Sequence, residues 1–284
     1  MSVRRAVLLL PLLASLALPA RARAGDPPAG TPPAEAIASP PPAAAPPPPR
    51  LTVDLGIAAA VTGAELGLIG LSLAFKDQLV PSTCRWCEPP QLDRWVREEL
   101  HWGNTKPAST AADAMQLLIP AGAAATLWIQ AAPHGQREVA EDLVVLAESA
   151  TTGILLTQGV KYAVARLRPD AWARGTILSP DDYLSFWSGH TSFAFTTAAA
   201  ATQIARLRGR TGWKWLGLAT FGAAALTGYL RVAADRHWTT DVIASAVAGT
   251  TTGLVIPLLA YQPAGERRPS ITLAPAPGGL ALIF

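Results

Sequence analysis

Three short clusters of polar residues interrupt the apolar part of this 284-residue chain, and their residue types could do phosphate chemistry. The first cluster, KYAVARLRP, holds Lys161 and Arg168, which are seven residues apart. That spacing is nearly two turns of a helix, so both side chains can lie on one face. Pro169 favours the end of the helix just before it. Cations without nearby acids are typical of a polyanion site, and phosphate is the polyanion we expect.

The second cluster, LSFWSGHTSF, begins an apolar segment with Ser188, Gly189 and His190. A hydroxyl and a backbone amide at a helix N-terminus are good donors for an anion, because the helix dipole favours negative charge there. A simple helix cap is the alternative interpretation of the serine and the glycine. A histidine in the same place could protonate a leaving group.

The third cluster, RVAADRHWTTD, holds Arg231, His237 and Asp241. His237 and Asp241 are four residues apart, so on a helix one lies above the other. A histidine ordered by a carboxylate is the arrangement of an activated nucleophile or base. Taken alone, the pair could equally be a surface contact, and the arginine could be an interfacial residue.

These clusters lie at the ends of apolar blocks that predict an all-α fold. Each block is about 17–25 residues long, the length that a helix needs to cross a bilayer core. Charged residues make up only 15% of the chain, against about 25% in globular proteins. We therefore expect a six-helix bundle that is integral to a membrane, with a soluble bundle as the alternative. The six blocks are residues 52–75, 111–132, 142–165, 190–206, 214–234 and 239–261.

The order of the blocks brings the three clusters together. In such a bundle, one side holds the end of the third block, the start of the fourth, the end of the fifth and the start of the sixth. Glu65 and Glu148, inside apolar blocks, are expected to bond across helices rather than to join the site. His101 is interpreted as a loop histidine that could reach the same side, His134 as irrelevant on the opposite side, and Arg166 as an interfacial residue.

Together the clusters resemble the signature of the type 2 phosphatidic acid phosphatase and vanadium haloperoxidase superfamily, which is K-x6-R-P, P-S-G-H and S-R-x5-H-x3-D. The first part is complete in this chain, and the spacings of the other two parts match. Trp187 stands where the family pattern has proline, and Leu230 stands where it has serine. The resemblance covers about residues 160–241, and the block layout extends it over most of residues 51–261.

The resemblance implies a helical phosphatase that needs no metal and no other cofactor. His237 would attack phosphorus and form a phosphohistidine, Asp241 would hold its imidazole, and His190 would protonate the leaving oxygen and then activate water. The phosphate oxygens would be bound by Lys161, Arg168, Arg231, Ser188 and Gly189. The implied substrate is a lipid phosphate or pyrophosphate. Three alternatives stay open: phosphotransfer to an alcohol, vanadate-dependent halogenation in the same pocket, and a non-catalytic membrane scaffold.

The domain boundaries follow from composition. Residues 1–24, with a basic start and an apolar stretch, predict a signal peptide or signal anchor. The Pro/Ala-rich residues 25–50 predict a disordered linker. Residues 51–262 are expected to form the phosphatidic acid phosphatase type 2-like catalytic domain. The tail, residues 263–284, has an alternating pattern and a PGG turn that predict a small hairpin.

The chain has two cysteines, Cys84 and Cys87, separated by two residues. This spacing could belong to a redox motif, to half of a zinc site or to a short disulfide. There is no second cysteine pair, and an exported chain meets an oxidising compartment. We therefore predict a local disulfide.

Charge limits the partners and the orientation. Residues 25–284 carry 19 basic and 20 acidic side chains, so no broad basic surface remains for nucleic acid. We expect membrane lipid around the chain, and no obligate protein partner is evident. The loop at residues 206–214 is basic, which predicts that this loop lies on the cytoplasmic side of the membrane. The site would then face the periplasm from the inner membrane, with a soluble periplasmic protein as the alternative. A cleaved export signal conflicts with this orientation, because it would place the start of the first block outside, and an uncleaved anchor at residues 6–20 would do the same. Either residues 1–24 do not translocate the linker, or one block does not span the membrane, or the domain is soluble.

Overall fold

The computed structural model describes residues 50–265, together with the backbone of residues 272–276 and 279–283. The predicted export signal, nearly all of the predicted linker and parts of the predicted tail lie outside the described residues.

Helices dominate the part of the chain that the structure describes. In chain order they are Leu55–Ala74 (α1), Lys76–Leu79 (α2), Gln91–Leu100 (α3), Lys106–Ala131 (α4), Gln136–Val164 (α5), Pro169–Arg174 (α6), Gly189–Leu207 (α7), Trp213–Ala233 (α8) and Thr239–Ala260 (α9). The six long helices, which are α1, α4, α5, α7, α8 and α9, coincide with the six apolar blocks. The predicted all-α six-helix bundle is therefore confirmed.

Two short antiparallel ladders accompany the helices. Leu51–Thr52 (β1) pairs with Gln262–Pro263 (β2), and Thr272–Ala276 (β3) pairs with Gly279–Ile283 (β4). The first ladder joins the two ends of the helical region. The second is a hairpin of the kind that the alternating pattern of the tail predicts.

The helix α7 lies at the centre of the bundle. It packs against α4, α5, α8 and α9, whereas α1 packs on α5. A run of four alanines in the middle of α7, Ala198–Ala201, is fully buried. Small side chains of this kind let neighbouring helices approach closely.

The helices α7 and α9 approach each other closely at two glycines of α9. A Cβ atom at Gly249 would lie 2.5 Å from the carbonyl oxygen of Ser192, and one at Gly253 would lie 2.3 Å from the carbonyl oxygen of Thr196. Both neighbours are backbone atoms of α7, so no side-chain rotation relieves the overlap. The two helices touch because the spacing of these glycines, four residues, puts both on one face.

The outer surface of the bundle is apolar. Among the described residues, five helices are long and apolar enough to cross a membrane, namely α1, α4 with the turn after it, α5, α8 and α9. The sequence predicted a sixth span at α7, but threonine, serine and glutamine residues make this central helix less apolar. Large apolar side chains on the outer faces are more than half exposed, among them Leu66, Leu71, Leu118, Ile129, Val247 and Leu259. Surfaces of this length and composition indicate that the protein lies in a membrane.

An ion-pair cluster closes the bundle at the end opposite the predicted site. Arg208, just after α7, bonds Asp142 at 2.7 Å and Glu141 at 2.8 Å, both in the first part of α5. It also donates to the backbone carbonyl of Leu51, and the hydroxyl of Tyr261 donates to Asp142. Residue 50 therefore lies at the same end of the bundle as the basic loop at residues 206–214.

Candidate active site

The first predicted cluster lies where α5 ends. Ala165 adopts a left-handed conformation with φ of 47°, which stops the helix, and Pro169 begins α6. Lys161 Nζ donates to the carbonyl of Leu184 at 2.9 Å, and Arg168 Nε donates to the carbonyl of Asp181 at 2.8 Å. Burial lowers the pKa of Arg168 to about 10. Backbone carbonyls thus hold both cations, with Arg168 buried and Lys161 partly buried.

The second cluster forms the N-terminus of α7, next to the first. Ser188 is fully buried and caps the helix, since its Oγ accepts from the backbone and hydroxyl of Thr191. A Cβ atom at Gly189 would lie 3.8 Å from Lys161 Cε, so the two clusters are in contact. His190 Nε2 lies 2.7 Å from Asp113 Oδ1.

Asp113, near the start of α4, is a site neighbour that the sequence analysis missed. Its Oδ1 atom lies 2.7 Å from the ring of His190 and 3.9 Å from the guanidinium of Arg231. Arg231 is buried in the last turn of α8, and its Nε atom has no hydrogen-bond partner within the described residues. The acid could have been found because it sits at the start of an apolar block, on the same side as the three clusters.

His237 lies in the loop between α8 and α9 and is 2% exposed. Its Nδ1 atom is 2.7 Å from the carbonyl oxygen of Ser185, which can only accept, so Nδ1 carries the proton. Burial lowers the pKa of His237 well below its usual value. The nearby cations Lys161, Arg168 and Arg231 lower it further. The imidazole is therefore neutral at pH 7, with the lone pair on Nε2.

Asp241 does not make the direct contact with His237 that we expected. Its Oδ2 atom is 3.7 Å from Nδ1, beyond hydrogen-bond range. The same oxygen accepts from the hydroxyl of Ser185 at 2.5 Å and from the backbone N–H of Trp238 at 2.9 Å. The carboxylate reaches the histidine through Ser185.

Arg166 is not the interfacial residue that the sequence suggested. It is 1% exposed and bridges two carboxylates, Asp241 at 2.5 Å and Asp93 of α3 at 2.6 Å. The ring of Trp86 covers its guanidinium, with 3.7 Å between the guanidinium carbon and the ring centroid. A neighbouring disulfide joins Cys84 and Cys87, so the short loop that carries Trp86 is closed by a covalent bond.

The two departures from the family pattern are packing residues in this structure. Trp187 Nε1 donates to the hydroxyl of Thr157 at 2.8 Å, and its ring meets that of Phe186 edge-on. Leu230 is 5% exposed and packs with small alanines of α4, such as Ala108.

The remaining polar residues from the sequence analysis lie away from this convergence. Glu65 accepts from the hydroxyls of Thr151 and Thr152, so it bonds across helices as expected. His101 is exposed at the end of α3 with Nδ1 against the carbonyl of Arg97. His134 lines a cavity at the opposite end of the bundle.

A cavity of about 600 Å³ opens beside the three clusters, between α1, α4, α5 and α7. Its polar part includes Lys161, Arg168 and Gly189, together with an ion pair between Lys76 and Asp181. Most of the remaining lining is apolar and is formed by Ile69, Leu73, Leu117, Ile154, Phe193 and others. Leu117 and Leu73 are 74% and 55% exposed, so the cavity reaches the apolar outer surface of the bundle.

Residues 142–263 match the family model of the PAP2 superfamily. Over these residues the chain is similar to the PAP2 superfamily. The matched segment contains all three clusters, so the resemblance inferred from their spacing is confirmed. Asp93 and Asp113, which the structure adds to the site, lie outside the matched PAP2 segment.

Two curated relatives share the PAP2 segment. A lipid A 1-phosphatase from Porphyromonas gingivalis is 33% identical over 93 residues, which is 33% of this chain and 18% of the relative. An undecaprenyl-diphosphatase from Sulfolobus acidocaldarius is 33% identical over 110 residues, which is 38% of this chain and 50% of the relative. The chain therefore spans half or less of the length of these curated relatives.

A solved structure is also similar to this chain. It is a transmembrane PAP2-type phosphatidylglycerolphosphate phosphatase from Bacillus subtilis, with 18% identity and a TM-score of 0.42. The alignment covers 72% of this chain and 93% of that one.

Proposed function

We propose that this protein is a metal-independent lipid phosphatase that hydrolyses a phosphomonoester or a pyrophosphate through a phosphohistidine. One observation carries the proposal: two histidines and three cations gather beside a cavity whose polar part includes Lys161 and Arg168 and whose remaining walls are mostly apolar. The two curated relatives, a lipid A 1-phosphatase and an undecaprenyl-diphosphatase, act on lipids of this chemistry by name.

In the first step His237 is the nucleophile. Its Nδ1–H is bound to a carbonyl, so Nε2 is free to attack phosphorus. The N–P bond forms as the bond from phosphorus to the leaving oxygen breaks, and a proton from His190 goes to that oxygen. In the second step His190 takes a proton from water, whose oxygen attacks the phosphohistidine. Inorganic phosphate leaves and His237 is restored.

The cations stabilise the charge of the transferring phosphoryl group. Lys161, Arg168 and Arg231 would bind its oxygens, aided by the hydroxyl of Ser188 and the amide of Gly189 at the N-terminus of α7. Arg231 suits this role, because its buried Nε has no protein partner within the described residues. A bound phosphate would supply the missing acceptor and offset the cost of burying this charge.

The apolar lining selects a lipid rather than a small soluble phosphate ester. A hydrocarbon chain can leave the polar part of the cavity past Phe193 and pass between Leu73 of α1 and Leu117 of α4. The helices α1 and α4 each pack on α5 and have few contacts with each other, so a lipid can enter from the side without first leaving the bilayer.

We place the protein in the inner membrane, with the site on the periplasmic side. The loop at residues 206–214 and residue 50 lie at one end of the bundle, and the site lies at the other. The basic loop favours the cytoplasm. This orientation keeps residue 50 in the cytoplasm, in conflict with cleavage of an export signal at residues 1–24.

The test is phosphate release from a panel of lipid phosphates and pyrophosphates by the purified protein in detergent. Wild type should release phosphate without added metal and in the presence of EDTA, and His237→Ala should lose at least about 10³-fold in kcat. Equal phosphate release by both proteins would refute the mechanism. An added alcohol separates transfer from hydrolysis, because transfer yields a new phosphate ester. Vanadate with peroxide and halide tests for haloperoxidase activity.

A second test addresses the lipid. Leu117→Asp places a charge at the mouth of the cavity without touching the cations. It should lower kcat/KM for long-chain lipid phosphates about tenfold or more, since a charge opposes burial of the chain, and should leave a short-chain water-soluble phosphate unaffected. The matched control is Leu118→Asp, one position along α4, at a residue that does not line the cavity and is 62% exposed. Equal losses in both variants would argue against entry between α1 and α4.

A further inference from the structure

A continuous path of buried hydrogen bonds runs from the ring of His237 to Arg166, at a variable position of the first motif, and to Asp93, outside the motifs. The ring donates to the carbonyl of Ser185, and the hydroxyl of Ser185 donates to Asp241. The other oxygen of Asp241 accepts from Arg166, which bonds Asp93 of α3 through its second amino group. None of these five residues is more than 2% exposed.

We propose that Arg166 and Asp93 are positioning residues for the reaction at His237, acting through Asp241 and Ser185. The inference rests on the proposed phosphohistidine mechanism. Neither residue touches the nucleophile. They act instead on the backbone carbonyl that fixes which ring nitrogen of His237 carries the proton and which way the ring points.

Arg166 holds this carbonyl in place from two sides. The backbone N–H of Ser185 donates to the carbonyl of Arg166 at 3.0 Å, and the side chain of Arg166 bonds the carboxylate that receives the hydroxyl of Ser185. Movement of Arg166 would therefore displace Ser185 by both routes. The ring of His237 follows, because the carbonyl of Ser185 is its hydrogen-bond partner on Nδ1 in the described structure.

Asp93 extends the same hold to the start of α9. One of its oxygens accepts from the backbone N–H of Thr240 at 2.9 Å, and the other accepts from Arg166 and from the hydroxyl of Thr240. Arg97, on the same helix α3, forms two hydrogen bonds with the carboxylate oxygens of Asp235, each 2.7 Å long. The loop that carries His237 is thus fixed on both sides by α3, a helix outside the matched family segment.

An arginine is required at position 166 because the bridge needs two separate donors. The planar guanidinium offers a fixed fork to Asp93 and Asp241, whereas a lysine offers one compact charge. The face of the guanidinium is also covered by Trp86 at 3.7 Å. Arg166→Lys keeps the positive charge but can satisfy only one of the two carboxylates with good geometry.

The same bridge controls the electrostatics of the nucleophile. The carboxylate of Asp241, 3.7 Å from Nδ1, would favour a protonated and therefore unreactive ring. Arg166 balances that charge. Among the described residues, the other charges that act most strongly on His237 are the cations Lys161 of α5, Arg168 before α6 and Arg231 of α8. They oppose protonation of the ring as well.

The experiment compares Ser185→Ala and Arg166→Lys with wild type by steady-state kinetics and by ¹⁵N NMR of the histidine rings. Both variants should lose about 10- to 100-fold in kcat, the usual result when the partner behind a functional histidine is removed. KM should change by less than about twofold, since neither side chain contacts substrate. The ring of His237 should show one tautomer, protonated on Nδ1, in wild type and a mixture of tautomers in the variants. Four histidines in the chain keep the assignment simple.

The matched control is Arg208→Lys. Arg208 is also a buried arginine that bridges two carboxylates, Glu141 and Asp142, but it lies at the opposite end of the bundle. Its variant should lose thermal stability without any change in kcat or in the spectrum of His237. A drop in kcat equal to that of Arg166→Lys would mean that both arginines act only through stability, and would overturn the inference.

Wild-type kcat and a wild-type His237 spectrum in Ser185→Ala would also overturn it. This variant removes one hydroxyl and decides the question alone if Arg166→Lys does not fold. Failure of the proposed function is a separate result. If the wild-type protein releases no phosphate from any lipid, the proposed mechanism is wrong. The tautomer of His237 in the resting protein still shows whether Arg166 and Ser185 position the ring.

Discussion

The contact between α7 and α9 sets the separation of the second and third motifs, and it depends on Gly253. Replacing this glycine by alanine adds a Cβ atom 2.3 Å from the carbonyl oxygen of Thr196 and 2.8 Å from Ala199 Cβ and from the backbone nitrogen of Ala200. Ordinary contacts of a Cβ atom begin near 3.4 Å. The two helices must therefore separate by roughly 1 Å, because backbone atoms cannot rotate away.

The cost follows from overpacking and helix propensity. Overpacking of this kind costs about 1–3 kcal/mol, and alanine returns up to about 1 kcal/mol through its higher helix propensity. We expect a net loss of about 1–2 kcal/mol, which corresponds to a fall in Tm of roughly 2–8 °C for a domain of this size. Because α7 carries His190 and α9 begins beside His237, phosphate release should also slow.

The assay is thermal unfolding in detergent, followed by circular dichroism, beside the rate of phosphate release. The control is Gly70→Ala in α1, where an added Cβ atom meets no atom within 4 Å. This variant should unfold at or above the wild-type temperature, since only helix propensity changes. A Gly253→Ala protein as stable as Gly70→Ala would refute the reasoning about helix contact.

Four further predictions follow from the site and its surroundings. Asp113→Asn should lower kcat about tenfold with an unchanged Tm, because this 61% exposed carboxylate contacts His190 but supports no core; a wild-type rate would remove Asp113 from the site. At a pH below the ordinary histidine pKa of about 6.5, His237 binds a proton in the unfolded chain but not in the folded protein, where burial lowers its pKa. The free energy of unfolding should therefore decrease as the pH falls, and His237 can account for at most about 1.4 kcal/mol per pH unit of this decrease. His237→Gln should weaken that acid dependence when Tm is measured between pH 7 and 5. Reduction of the Cys84–Cys87 disulfide should lower the unfolding free energy by about 2 kcal/mol, as expected for so short a loop. Reporter fusions at residue 50 and in the loop at residues 206–214 should give the same side of the membrane, and opposite sides would contradict the helix order.

The sequence predicted the six long helices because their signal is local. Apolar blocks of bilayer length, each bounded by polar connectors, coincide with the helices to within a few residues at most ends. The central position of α7 was less accessible from composition alone. Its alanines, threonines and serines resemble a weak membrane span, whereas in the bundle they line the contacts with four neighbouring helices. Burial inside protein, rather than in lipid, explains why this helix tolerates polar residues.

The site was only partly predictable, because its missing members come from other helices. Asp113 and Asp93 lie on α4 and α3, far along the chain from the motifs that they contact. No spacing rule connects residues that meet only after the bundle has formed. Arg166 was visible in the sequence two residues before Arg168, but its burial depends on two distant acids and on Trp86. A lone arginine near a helix end is otherwise typical of a membrane interface.

The third motif shows why spacing predicts proximity better than it predicts bonding. An interval of four residues puts two side chains in contact only when both lie on one helix. Here α9 begins at Thr239, so Asp241 is in its first turn and His237 lies in the loop before it. The carboxylate turns back to accept from the N–H of Trp238, as acidic residues in a first helical turn commonly do. Ser185 lies between Asp241 and His237. Its hydroxyl donates to Asp241 and its carbonyl accepts from His237, so the two residues are linked through Ser185 and not by the direct bond that the motif suggested.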